Sequence, residues 1–226
     1  MLPRTLEPEV MDSAAEAVDY DSMDHSDVNR RFVDQLLACR QPEEGTPERS
    51  LRVLDVGTGT ALIPLELCGR DVPVHVTGID LAAYMLQVGQ RNVIRAGLQS
   101  CIKLEHLDAK NLPYSDGTFD WVISNSIVHH IPDPLPCLRE MVRVLAPGGL
   151  LFVRDLLRPA DLATLKQLVQ TYAAGASPHQ QQMLDDSLHA ALTMDEVRGL
   201  LEALNLPTAW VTQTTDRHWT ICGRQS

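Results

Sequence analysis

The sequence predicts an α/β fold, a Rossmann-like, doubly wound seven-stranded sheet that is mostly parallel with an antiparallel C-terminal hairpin strand. Three observations predict it. From Leu51 to Val153 short apolar runs alternate with helical patterns, the spacing of successive βαβ units with helices on both faces. The turn after the first run is glycine-rich, Asp55-Val-Gly57-Thr-Gly59-Thr-Ala61. The last two β-like runs, Ala209 to Thr214 and His218 to Cys222, are a few residues apart, which suits a hairpin and forbids a parallel crossover.

The elements follow in order. From Glu7 to Asp27 eight acids occur without a Lys or Arg, and the Ala and Val positions support a short helix. Val28, Phe32, Val33, Leu36 and Leu37 mark one face of the next helix, and residues 41–49 form a polar loop. Leu51–Val56 reads as a buried strand, Ala61–Cys68 as a helix, Val74–Ile79 as a strand and Leu81–Ala96 as a helix. Ile102–Leu107 alternates as a half-exposed strand does, and Ser115-Asp116-Gly117 turns the chain into the strand Phe119–Ser124. Leu135, Leu138, Met141, Val142 and Leu145 predict a helix that stops at Pro147-Gly148-Gly149, before a fifth strand at Leu150–Val153. Residues 156–192 carry helical spacing with no strand and read as an insertion, broken at Gly175–Pro178. Thr193 and Glu196 form a capping-box pattern opening the last helix. The organisation expected is one domain, 1–226. It comprises an N-terminal helical lid (1–45), a cofactor-binding core (46–155), the helical insertion (156–192), and a C-terminal helix with its hairpin (193–226).

Composition narrows the function. Nineteen Lys and Arg against thirty Asp and Glu give a net charge of −11, which repels phosphate backbones and anionic lipid. No nucleic-acid partner is expected. No apolar run approaches the ~18 residues of a membrane span, and the N-terminus has no apolar signal segment. Cysteines at 39, 68, 101, 137 and 222 show no CxxC spacing, so thiols in a reducing cytoplasm are expected, and no metal site.

The glycine loop carries the sharpest chemistry. Gly57 allows a tight turn, Gly59 lets a ligand approach the backbone, and Ala61 keeps the next helix close to the sheet. A dinucleotide pyrophosphate wants a third glycine where Leu62 stands, which disfavours an NAD(P) oxidoreductase. Asp55 at the strand end instead suits an ammonium group, as in a zwitterion joined to a nucleoside. Asp80 ends the second strand, where a carboxylate accepts from both hydroxyls of a ribose. At the third strand end Asp108 can accept from an exocyclic amine while the Ala109 N–H donates to a ring nitrogen, the pair adenine offers. Each aspartate alone is explained by helix capping; three at consecutive strand ends beside one glycine loop are not.

The runs VLDVGTGTALIPLELC, VTGIDLAAYML, LDAKNLPYSDGTFDWVISNSIVHHIPDP and LAPGGLLFVRD resemble the successive motifs of class I S-adenosylmethionine-dependent methyltransferases. The nearest type is the broad group that includes ubiquinone and menaquinone biosynthesis enzymes. The resemblance covers about residues 50–155, with Ala61 where the family often keeps a third glycine. It implies S-adenosyl-L-methionine as cofactor, S-adenosyl-L-homocysteine as product, and Asp55, Gly57, Gly59, Asp80, Leu81, Asp108, Ala109 and Asn125 as cofactor-binding residues. Tyr20 lies in a segment resembling the family's entrance and is expected to close over the cofactor. Residues after the fourth strand, Ser124 to His130, then lie on the methyl side. They lack the Asn-Pro-Pro-aromatic motif of enzymes that methylate amino groups of bases or glutamine.

The reaction implied is in-line displacement from a sulfonium, for which a protein mainly supplies alignment, with a general base only where the acceptor arrives protonated. His129 is the base candidate, and His130 is expected in a structural role facing the core. Asp155 is a second catalytic candidate, and His129, Arg154 and Asp155 form the expected substrate-binding set. Tyr172, Gln181, Met183 and His189 of the insertion serve equally as pocket lining or as helix packing. The leading function is a cytoplasmic methyltransferase acting on a small-molecule acceptor, with no oligomeric state assigned. The alternative is a non-catalytic S-adenosylmethionine-binding or complex-partner protein of the same fold.

Overall fold

Leu51–Val56 forms β1, with every residue buried except Arg52. Such a run buries both faces of a strand, which a parallel sheet requires. The computed structural model describes all residues except 1, 8, 9, 11 and 226. The elements are α1 (Ala14–Ser22), α2 (Ser26–Ala38), β1, α3 (Leu62–Cys68), β2 (Val74–Asp80), α4 (Ala83–Ala96), β3 (Ile102–His106) and β4 (Phe119–Asn125). They continue as α5 (Leu135–Val144), β5 (Leu145–Leu156), α6 (Leu162–Ala173), α7 (Pro178–Ala190), α8 (Met194–Ala203), β6 (Val211–Gln213) and β7 (His218–Arg224). Short 3₁₀ turns lie at Val128–His130 and Thr208–Trp210.

The sheet runs β3-β2-β1-β4-β5-β7-β6. β1 pairs in parallel with β2 and with β4, placing Asp55 beside Gly78 and Ile123, and β2 pairs in parallel with β3. The order reverses on either side of β1, and open α/β sheets bind ligands at the carboxyl ends of strands at such a switch. β7 runs antiparallel to β5: Leu157 N donates to Arg217 O while Gln225 N donates to Gly149 O, so chain numbers rise on one strand as they fall on the other. β6 pairs antiparallel with β7, as the hairpin spacing predicts.

The helix predicted to run to Pro147 ends instead at Val144, and Leu145 already belongs to β5. Gly148 N donates to Gln225 O, so the Pro-Gly-Gly stretch is held as strand rather than as a helix stop. A Cβ on Gly149 would come within 2.7 Å of Ala146 O and 2.8 Å of Asp120 O, so only glycine fits there. The capping box at Thr193 forms: Glu196 N donates to Oγ1 at 3.2 Å and Thr193 N donates to Glu196 Oε2 at 2.8 Å. α7 begins likewise on Ser177 with Gln180, and Pro178 sits in its first turn, where a missing N–H costs no helical bond.

The chain divides into two compact units, one of residues 10–125, 136–153 and 222–226 and one of residues 1–9, 126–135 and 154–221. The first is centred on Phe32, Leu36, Val53, Leu67, Val76, Trp121 and Phe152, with the Phe32 and Phe152 rings edge to face at 5.1 Å. The second buries Leu156, Leu165, Leu168, Leu188 and Ala191 around α6 and α7. Among the described residues no helix is long and apolar enough to cross a membrane.

Candidate active site

In the first unit β1 delivers the chain into the glycine loop. Gly57, Gly59 and Ala61 all take left-handed φ, at 74°, 53° and 65°. Ala61 adopts it at a conformational cost that glycine avoids. The N–H groups of Gly57 and Thr58 both donate to Ile79 O at 2.9 Å, which pins the loop to the end of β2. Asp80 closes it: Oδ2 accepts from Gly59 N at 2.7 Å and Oδ1 from Ala82 N at 2.8 Å. Each oxygen retains a further acceptor direction, which two ribose hydroxyls can use. Among the described residues nothing lies within 4 Å of where a Gly59 Cβ would stand, which leaves room for a ligand against the loop backbone.

Asp55 is 2% exposed, and its Oδ2 has no hydrogen-bond partner among the described residues. Burial pushes its carboxyl up to about 7, the charge of Asp80 adds to the rise, and the Thr58 hydroxyl opposes it. Asn125 Oδ1 is also buried and unpartnered. Tyr20 packs with Ala82, Met85 and Val88, stacks on His25 at 4.5 Å, and has its phenol pushed up to about 12 by burial and by the charges of Asp80, Asp55 and Asp21. Leu81 is 37% exposed beside Asp80, apolar surface suited to a ribose or base face. Asp108 Oδ1 accepts from Lys110 N at 2.9 Å and lies 3.3 Å from its ammonium group, and Ala109 is half-buried. Asn92 was not singled out from sequence. It donates to Thr60 O at 3.2 Å and to Asp21 Oδ1 at 2.7 Å, tying α1 and α4 to the loop. Its place on the buried face of an amphipathic helix was the available signal.

The second unit holds a different cluster. Asp155, wholly buried near the end of β5, accepts from Val128 N at 2.5 Å, His129 N at 3.3 Å and Leu156 N at 2.6 Å. Its Oδ1 also meets His129 Nδ1 at 2.5 Å. The two catalytic candidates are therefore one pair. Burial opposes the charge on each, but their mutual attraction outweighs it: the imidazole is raised above its ordinary pKa and the carboxyl held below. With Nδ1 committed to Asp155, the other ring nitrogen of His129, Nε2, faces Glu7 Oε1 at 3.4 Å. Glu7 Oε1 is also 3.1 Å from His130 Nδ1, and Ser187 Oγ donates to it at 3.2 Å. Arg4 fixes this N-terminal strap by donating to the carbonyls of His129, Ile131, Pro132 and Ala190.

The burial of the two histidines, though not a role of either, runs opposite to the expected facing. His129 is 3% exposed and His130 20%, because Asp155 draws the first ring inward. Arg154, next to Asp155 on the strand, points to the other face as strand alternation requires, and its Nε donates to Thr220 Oγ1 at 3.1 Å. The hydroxyl of Tyr172 donates to Asp216 and its ring lies under Arg217, Gln181 donates to Ala176 O, and His189 meets Asp185 at 3.1 Å. Glu7 and Arg4 were missed from sequence. In the sequence Glu7 stands only as one acid of an acidic segment, and neither residue's partners are close in the chain.

Comparison with known proteins finds likenesses to methyltransferases. Residues 54–153 match the methyltransferase domain family. Over 126 residues the chain is 37% identical to a demethylmenaquinone methyltransferase of Listeria monocytogenes, covering 55% of this chain and 52% of that protein. A demethylmenaquinone methyltransferase of Staphylococcus epidermidis is 36% identical over the same length, covering 55% and 51%. The chain thus spans about half the length of these curated relatives. Among solved structures, an S-adenosylmethionine-dependent methyltransferase of Aquifex aeolicus has a TM-score of 0.65 at 18% identity, covering 95% of this chain and 99% of that one. The plantazolicin methyltransferase BamL, solved with a triazolic desmethylPZN analogue and S-adenosylhomocysteine, has a TM-score of 0.66 at 20% identity, covering 87% and 68%. The fold is that of these methyltransferases.

S-adenosylmethionine is the cofactor these likenesses imply, and the residues fit it. A buried carboxylate oxygen without a partner suits an ammonium, the open face of Gly59 admits a ligand against the backbone, and Asp80 retains acceptor directions for a ribose.

Proposed function

We propose that the protein transfers a methyl group from S-adenosylmethionine to a small ring acceptor of the quinol type, with His129 as general base and Asp155 holding it. The observation that carries the cofactor half is Asp55: a carboxylate with an unpartnered oxygen at the end of β1, beside a glycine loop open to ligand. A buried group of that kind is unfavourable until a cation meets it. When bound, the cofactor supplies a methyl group on a positively charged sulfur.

The chain's own residues do the rest. Asp55 receives the ammonium, Asp80 the ribose, Asp108 and Ala109 the base, and Leu81, Asn125 and Tyr20 complete the enclosure. Asp155 holds the Nδ1–H tautomer of His129, leaving Nε2 as the proton acceptor. The place Glu7 Oε1 occupies, 3.4 Å from Nε2, is where an acceptor hydroxyl would stand after displacing the strap. Loss of that proton to Nε2 would leave a ring oxyanion as the nucleophile, its electron pair at oxygen or at the conjugated ring carbon. Arg154 holds β7 in this reading and contributes alignment rather than proton transfer. The quinol class is supported by the names of the relatives.

The test is direct. The protein is incubated with methyl-labelled cofactor and a panel of quinols, catechols, amines and tRNA. Label in a quinol, with a rate that rises through the titration of a single group, is the expected result. Label only in tRNA or protein, or none in any pool despite tight S-adenosylhomocysteine binding, contradicts it.

A further inference from the structure

Glu7, His129 and His130 bring three metal-ligating atoms together, all within 4.8 Å of one another. We propose that they form a binding site for a borderline divalent ion of the zinc class. The separations from Glu7 fit a shared ion. A charge-assisted contact between imidazolium and carboxylate closes to about 2.7–2.9 Å. Here Glu7 Oε1 stands 3.4 Å from His129 Nε2 and 3.1 Å from His130 Nδ1. Those are the lengths of tetrahedron edges: arms of about 2.0–2.1 Å place adjacent donors roughly 3.3 Å apart.

The surroundings are those of a metal site. A metal-binding histidine almost always donates its other ring N–H to a carboxylate, which fixes the tautomer and raises the basicity of the coordinating nitrogen. His129 has that partner in Asp155, at 2.5 Å from Nδ1. Asp155 is in turn held by the backbone N–H groups of Val128 and Leu156. Ser187 donates to the Glu7 carboxylate, and Arg4 fixes the strap through backbone carbonyls, so the ligand from the chain's start is positioned rather than loose. Glu7 also lines a cavity of ≈ 420 Å³ with Thr5, Leu6, Asp185, Asp186 and His189. Two imidazoles and one carboxylate are a borderline donor set, suited to zinc, cobalt or nickel rather than to magnesium or calcium. Three protein ligands leave a fourth position for solvent or an exogenous donor.

The ion takes the same nitrogen that the proposed reaction needs as a base. Bound metal therefore fastens the strap over His129 and suppresses methyl transfer, while its binding stands whether or not the protein is a methyltransferase.

The experiment titrates full-length, chelator-stripped protein with zinc and cobalt, followed by calorimetry and by the visible absorption of cobalt. One equivalent is expected, with the intense d–d bands of a four-coordinate ion and no thiolate charge-transfer band. Glu7→Gln and His130→Ala should each weaken binding by more than the roughly 10–100-fold typical of losing an outer-shell partner. Unchanged far-ultraviolet circular dichroism and a cooperative denaturant unfolding transition serve to show that both variants are folded. No stoichiometric binding, a thiolate band, or affinity unchanged in both folded variants overturns the site. Zinc that binds as described but leaves an observed transfer activity untouched overturns the competition for His129. Absence of any transfer activity bears on the reaction alone.

Discussion

Two buried aspartates end strands of this protein and live in opposite circumstances. Asp55, on β1, has an oxygen with no partner and is pushed up to about 7 by burial. Asp155, on β5, accepts from three backbone N–H groups and an imidazole, and is held below the usual carboxylate range despite its burial. A carboxylate left unsatisfied inside a protein works against folding and favours a cationic ligand, whereas a satisfied one holds its neighbours in place. The difference is why the proposed function gives Asp55 a binding role and Asp155 a positioning one.

The largest effect expected from breaking the second cluster is on turnover. His129→Ala should lower it by something like 10²–10⁴-fold while S-adenosylhomocysteine affinity, read by calorimetry, stays at the wild-type value. Wild-type turnover across the pH range would remove His129 as base.

Asp155→Asn should cost about 3–5 kcal/mol of stability, because it leaves a buried imidazole without its charged partner. Denaturant unfolding checks this. The pH dependence has a definite sign. The lowered carboxyl of Asp155 contributes stability above its unfolded value that is lost as pH falls through its folded value. The raised imidazole of His129 contributes stability below its unfolded value that is lost as pH rises through its folded value. The pair therefore stabilises most between those limits, and the variant should lose that maximum. Its rate profile, where measurable, should rise at lower pH than wild type, since the imidazole loses the partner that raises it.

A smaller effect belongs to the first cluster. Asp80→Ala removes the expected ribose acceptor along with the contacts to Gly59 and Ala82, and should weaken cofactor binding by about 1.5–3 kcal/mol. Unchanged affinity in the folded variant would detach Asp80 from the site.

The first cluster was largely legible in the sequence, and the second only in part, for a physical reason. Asp55, Gly57 and Gly59 are neighbours in the chain, and Asp80 is identifiable because strand ends in a parallel sheet line up once the βαβ spacing is read. His129 and Asp155 were visible singly, but their pairing across 26 residues depends on how the turn after β4 meets the end of β5. Arg4 bonds to residues 125 to 186 positions away, and no local pattern reports contacts at that separation. The start of β5 was misread because Leu145 continues the apolar spacing of α5, and Pro-Gly-Gly signals a stop equally well after a helix or within the bend of a strand. The capping box at Thr193, a wholly local device, formed as predicted.

The contrast between the two aspartates is tested most directly by melting wild type, Asp55→Asn and Asp155→Asn at pH 8, with and without S-adenosylhomocysteine. A carboxyl raised from its ordinary value to about 7 favours the folded state below its unfolded pKa, and that advantage is lost as pH rises through about 7. At about 1.4 kcal/mol per pH unit, removing the Asp55 charge at pH 8 can add up to about 4 kcal/mol. Asp55→Asn should therefore melt above wild type without ligand and gain little from it. Asp155→Asn should melt below wild type and gain as much from ligand as wild type does. If both variants melt below wild type and both keep the full ligand-induced rise, the division between a binding carboxylate and a positioning one is wrong.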